Sequence, residues 1–102
     1  MRIREIELLT GFIKKRRAAT SAIDRWISAA GAADWRNHAE VKQAIPSASF
    51  VGRCVIFNAG GNKYRIVTEI DFAAGEIKIN EVLTHAEYDK IDFDKKCKKA
   101  RK

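Results

Sequence analysis

Apolar residues recur at spacings of three and four in the first half of the chain and at spacings of two in the second, with the change near Pro46. Met1 to Arg4 reads as a short strand. Ile6, Leu9 and Ile13 then form one stripe of an amphipathic helix that ends in the basic run Lys14-Lys15-Arg16-Arg17. Gly11 weakens this helix without breaking it. Ala22, Ile23, Trp26, Ile27 and Ala30 form a second stripe after Thr20-Ser21, either of which suits an N-cap, and Gly31 is a natural stop. A third, shorter stripe, Val41, Ala44 and Ile45, is terminated by Pro46. Trp26 is expected in the core, and His38 at the surface.

Beyond Ser49 the pattern is that of strands. Cys54-Val55-Ile56-Phe57 is an apolar run opened by Arg53, and Asn58-Ala59-Gly60-Gly61-Asn62 is rich in residues that tolerate positive φ. Tyr64, Ile66, Thr68, Ile70 and Phe72 then alternate with polar neighbours, and a turn at Ala73-Ala74-Gly75-Glu76 precedes Ile77, Ile79, Val82 and Leu83. This is a three-stranded meander. Tyr64, Ile66, Ile70 and Phe72 are expected to face the helices, and Arg65, Val67, Glu69 and Asp71 an open face. Glu81 shares the parity of Ile77 and Ile79, so it is either partly buried with a cationic partner or displaced by a bulge. Thr84 and Glu87 have capping-box spacing, which predicts a last helix through His85-Ala86-Glu87-Tyr88-Asp89-Lys90. The fold class expected is α+β: N-terminal helices packed on a small antiparallel sheet, with a short C-terminal helix.

A chain of 102 residues with 46% hydrophobic and 32% charged residues is one domain's worth and outside the range of disordered chains. No apolar run approaches a membrane span, and a cytoplasmic location without membrane contact is expected. Cys54 and Cys97 share no metal-ligand or disulfide-framework spacing, so two reduced thiols, no metal and no cofactor are expected. The net charge of +7 is localised: Lys95, Lys96, Lys98, Lys99, Arg101 and Lys102 carry six positive charges, leaving the rest at +1. The chain therefore reads as one domain over 1–94 followed by a basic tail over 95–102. Such clusters attract polyanions, nucleic acid above all, although a lysine-rich terminus is more often a solvated tail.

The stretch Val55-Ile56-Phe57-Asn58-Ala59-Gly60-Gly61-Asn62-Lys63-Tyr64-Arg65-Ile66-Val67, with Glu81-Val82-Leu83-Thr84-His85-Ala86-Glu87-Tyr88-Asp89 after it, closely resembles the HigB toxins of the RelE superfamily. The resemblance is specific over residues 53–90. It implies a RelE-like fold and an mRNA interferase that acts on translated message in the ribosomal A site and is neutralised by a cognate HigA-like helix-turn-helix antitoxin.

RNA supplies its own nucleophile, the 2′-hydroxyl. A metal-independent ribonuclease must take that proton, meet the charge on the pentavalent phosphate and protonate the leaving 5′-oxygen. His85 suits general acid or base work, and Arg65 offers a charged fork for phosphate oxygens. His85 and Tyr88, three apart on one helix face, reach a common phosphate. Tyr88 serves as proton donor or stacking ring, and Asp89 orients His85 or acts as the base. Lys42, Arg53, Lys63, Lys78, Lys90, Lys95 and Lys96 are the candidate RNA-binding cations. Against this stands the blander reading of His85 as a surface or capping residue. A further alternative leaves catalysis to Arg65, Tyr88 and a lysine such as Lys42 or Lys63. A non-catalytic basic RNA-binding or ribosome-binding module is the competing function.

Overall fold

The computed structural model describes residues 1–97 except the Asp94 side chain; Lys98, Lys99, Arg101 and Lys102 of the expected tail lie outside the described residues. In chain order the elements are β1 (Arg2–Arg4), α1 (Glu7–Lys15), a 3₁₀ turn (Arg17–Ala19), α2 (Thr20–Ala32), α3 (His38–Ala44), β2 (Ser49–Val51), β3 (Cys54–Ala59), β4 (Tyr64–Asp71), β5 (Glu76–Thr84), α4 (His85–Asp89) and α5 (Phe93–Lys96). The strands form one sheet in the order β1-β5-β4-β3-β2. Strands β3 to β5 form the expected antiparallel meander, β2 is a further antiparallel strand beside β3 that was not expected, and β1 runs parallel to β5, with Ile3 opposite Ile77. The sheet is therefore mixed rather than purely antiparallel. The helical segment carries the chain from one edge of the sheet to the other, a crossover that leaves β1 parallel to its neighbour.

The helical stripes are buried as their spacing requires. Leu9 of α1, Ile23, Trp26 and Ala30 of α2 and Val41 of α3 pack with Val55, Phe57, Ala59, Ile66, Ile77 and Ile79 of the sheet. Phe57 is the centre, with its ring 5.2 Å from that of Trp26 and 6.1 Å from that of Trp35. Two details of the helix ends differ from expectation. Thr20 does not cap α2 through its side chain; the N-cap is Ala19, and the Thr20 hydroxyl donates to the Arg17 carbonyl at 2.7 Å. The helix also runs one residue past Gly31, to Ala32, because Gly31 has open space around it and needs no special conformation.

The opposite face of the sheet is not open. Cys54, Ile56, Val67, Phe93 and Cys97 form a second buried cluster, and Cys54 and Cys97 are joined by a disulfide across 43 residues. This corrects two expectations: the thiols are not free, and Val67 is buried beneath a covering layer. Cys54 opens β3 and Cys97 follows α5, and their Cα atoms lie 5.5 Å apart, within disulfide reach. Only the return of the chain over the sheet brings them together. Lys95 and Lys96, assigned to the tail, belong to α5 of this layer.

A bulge resolves the parity of Glu81. Val67 faces Glu81 while Thr68 faces Ile79, so Asn80 is the extra residue and the strand changes phase. Glu81 then turns to the second face, where it also has a cationic partner in Lys96. Thr68, fully buried, donates its hydroxyl to the Val55 carbonyl at 2.7 Å.

The β3–β4 turn is seated on α2. Gly60 has φ +64°, and a Cβ there would stand 3.3 Å from the Cβ of Ala22. Gly60→Ala is expected to destabilise the fold by about 1–2 kcal/mol from the left-handed backbone alone, read as a lower midpoint in urea unfolding. Among the described residues, no helix is long and apolar enough to cross a membrane.

Candidate active site

The candidate residues meet where β4 begins and β5 ends, at the second face of the sheet. Thr84 closes β5 and caps α4 with a full capping box: its hydroxyl accepts from the Glu87 backbone N–H at 3.2 Å, and the Glu87 carboxylate accepts from the Thr84 N–H at 2.9 Å. The His85 N–H donates to the Lys63 carbonyl at 2.9 Å, which ties α4 to the β3–β4 turn. Glu87 also pairs with Arg16 at 3.5 Å, linking the basic run after α1 to this helix.

The Thr84 backbone hydrogen bond holds the Glu87 carboxyl below its ordinary value of 4.5; the Thr84 hydroxyl, Arg16 and Lys90 act the same way, and slight desolvation opposes them. A folded-state value below the unfolded one means stability that is present above the unfolded value and lost as pH falls through the folded one. Glu87→Gln is therefore expected to lower stability at pH 7 by about 0.3–1 kcal/mol, reduced by the exposure of the group, and to cost less at pH 3. Paired denaturation curves at the two pH values check this.

Arg65 is the hub. Its Nη1 donates to the carbonyls of Asn62 and Tyr64, each at 3.2 Å, and its Nη2 to Asn62 Oδ1 at 2.9 Å. Nη2 also lies 3.1 Å from His85 Nδ1, and the guanidinium carbon 5.2 Å from the centre of the Tyr88 ring. Arg65 faces away from the main helices, as expected, but it is only 7% exposed because α4 covers it. It is a buried organiser rather than an open fork. Arginine only donates, so His85 Nδ1 accepts, which leaves the proton of the neutral ring on Nε2, 3.3 Å from Asp89 Oδ2. His85 and Asp89 are exposed and Tyr88 is half-buried. Tyr88 and Asp89 line a surface hollow of about 390 Å³ with Val51, Ile91, Asp92 and Phe93.

The candidate cations divide. Lys63 and Lys90 are exposed at the two ends of α4, beside the cluster. Lys78 lies six residues back along β5, about 20 Å from Thr84. Lys42 donates to the Ala48 carbonyl at 2.8 Å, between α3 and β2. Arg53 pairs with Glu69 at 3.4 Å and donates to the Lys96 carbonyl at 3.3 Å, and Lys96 pairs with Glu81. These two cations are committed to carboxylates in a neighbouring groove of about 430 Å³ that Lys78 also lines. Lys95 is exposed on α5, away from that pairing. His38, read as surface, is exposed but stacks on Phe50 at 4.5 Å.

Two residues of the cluster escaped the reading of the sequence. Asn62 grips Arg65 through both its carbonyl and its side chain, and its place three residues before Arg65 in the turn was the available signal. Phe93 stacks on Tyr88 at 4.8 Å, and nothing local marks it. Among the described residues, no group of three or more His, Cys, Asp or Glu side chains is arranged to hold a metal ion.

Residues 19–91 match the family model HigB_toxin, described as the RelE-like toxic component of a toxin-antitoxin system. The chain is 36% identical over 52 residues to the mRNA interferase toxin HigB of Escherichia coli K12, covering 48% of this chain and 50% of the relative. The mRNA interferases HigB of Escherichia coli O157:H7 and of Shigella flexneri match with the same identity and coverage. The chain thus spans about half the length of the curated relatives it matches.

Proposed function

The chain belongs to the HigB toxin family, and on that premise we propose that it is the toxin of a type II toxin–antitoxin system. In this reading it is a RelE-like endoribonuclease of one domain, which α5 and the disulfide carry past residue 94 to Cys97. It cuts translated message in the ribosomal A site without a metal, and a cognate HigA-like helix-turn-helix antitoxin neutralises it.

The observation that carries the reading is the chain of contacts Asn62–Arg65–His85–Asp89, with Tyr88 against Arg65. The ring of His85 accepts at Nδ1 and has the Asp89 carboxylate 3.3 Å from its Nε2, an arrangement that suits a general base. A phosphate placed at the Arg65–His85 contact competes for Nη2 and leaves Nδ1 to take the 2′-hydroxyl proton. Asp89 stabilises the imidazolium that forms. The 2′-oxygen bonds to phosphorus, the exposed Lys63 and Lys90 meet the charge on the phosphate oxygens with Arg65 reaching them only through the Nη2 edge that faces His85, and the Tyr88 hydroxyl protonates the departing 5′-oxygen. The products are a 2′,3′-cyclic phosphate and a free 5′-hydroxyl.

The test is a reconstituted translation reaction with purified protein. Cleavage of a translated message, leaving a cyclic phosphate at the new 3′-end, is the expected result. Ribosome binding with intact message overturns the enzymatic reading and favours the non-catalytic binding module.

A further inference from the structure

We propose that the Cys54–Cys97 bond and Phe93 form a clasp that positions Tyr88, which makes Phe93 a positioning residue for the cleavage reaction. This inference rests on the functional reading above.

Tyr88 lies on α4, a helix of five residues with no buried residue of its own. Such a short helix has little intrinsic stability, so its side chains take their directions from what they touch. At the start of α4 the capping box and the Lys63 carbonyl fix the backbone. Beyond them, the Tyr88 ring packs against the second buried cluster, with the Arg65 guanidinium at 5.2 Å and the Phe93 ring at 4.8 Å and 19° from parallel.

Phe93 in turn is 6% exposed and sits on a helix of only four residues. What holds that helix to the sheet is a set of contacts centred on Cys97. The disulfide fastens it to the first residue of β3, and Arg53 donates its backbone N–H to the Cys97 carbonyl at 2.9 Å. Lys96 also pairs with Glu81 on the bulged part of β5. The covalent bond, α5, Phe93 and Tyr88 are thus a continuous path from the middle of the sheet's second face to the reacting groups. Phe93 and Tyr88 line the same surface hollow, so a shift of one changes the shape presented to a nucleotide at the other.

Message cleavage is measured for wild type, Phe93→Ala, Tyr88→Ala and the double variant, and for wild type reduced with a dithiol reagent. The reagent delivers two electrons and two protons, leaves thiols on Cys54 and Cys97, and is itself converted to its cyclic disulfide. Phe93→Ala and reduction are each expected to lower the cleavage rate at saturating message about tenfold, because small misplacements of a reacting group are costly. Phe93→Leu, which keeps bulk, recovers part of the loss.

In the Tyr88→Ala background, Phe93→Ala is expected to cost nothing further, as for residues that act through one another. Equal losses in both backgrounds, or full activity of both Phe93→Ala and the reduced protein, overturn the clasp. If the wild-type protein leaves message intact, the functional reading fails by itself. The Tyr88 ring-proton resonances then judge the clasp: they must move on Phe93→Leu and on reduction, and unmoved resonances refute it. The double variant Cys54→Ser/Cys97→Ser must behave as the reduced protein does.

Discussion

Replacing His85 by alanine is expected to lower the cleavage rate about 10²–10⁴-fold, the range for loss of a positioned proton-transfer group. Folding should survive, because the side chain is 47% exposed and the backbone bond from its N–H to the Lys63 carbonyl does not depend on it. Arg65 keeps its contacts to Asn62 and Tyr64, so the guanidinium proposed to meet the phosphate remains in place. Growth inhibition on expression and end-mapping of message in a translation reaction read the effect together. A His85→Ala protein that cuts at the wild-type rate removes the imidazole from the mechanism and leaves Arg65, Tyr88 and Lys63 to carry it.

Removing the ring of Phe57 should have the largest effect on stability. It is fully buried between Trp26 of α2 and Trp35 of the following loop, against the centre of the sheet. Phe57→Ala is expected to cost about 3–5 kcal/mol, from lost transfer energy and the cavity left behind. Domains of this size hold only about 5–15 kcal/mol in total, so the variant should be largely unfolded at moderate denaturant. Urea unfolding followed by tryptophan fluorescence measures this directly, since both indoles report on the same ring. A cost under about 1 kcal/mol would show a site that collapses around the cavity.

The non-catalytic binding reading places its weight on the terminal cations rather than on His85. Deleting residues 95–102 no longer isolates charge, because Cys97 is bonded to Cys54 and belongs to the layer that covers the sheet. Neutralising the lysines one by one, with Cys97 retained, is the cleaner contrast: the binding module loses function with them, and the nuclease loses it with His85.

Much of the site was legible because its signals are local. Thr84 and Glu87 stand at the spacing of a capping box, which fixes where α4 begins and therefore that His85 and Tyr88 share a side. Tyr64, Ile66 and Ile70 alternate cleanly, so the direction of Arg65, away from the main helices, followed from the pleat. The burial of Arg65 did not, since it depends on α4 folding back over β4. The disulfide was illegible for the same reason, because its two cysteines are 43 residues apart and no periodicity connects them.

By itself the amino-acid order determined α1 to α4, the β3–β5 meander, the phase of the helical stripes and which side chains are candidates for the chemistry, because propensity, alternation and capping act over a few residues. Tertiary structure alone decided the parallel pairing of β1, the second layer made by α5, the commitment of Arg53 and Lys96 to carboxylates, and the grip of Asn62 on Arg65. Each of these is a contact whose partners are chosen by the path of the whole chain through space, and distance in space leaves no mark on spacing along the chain.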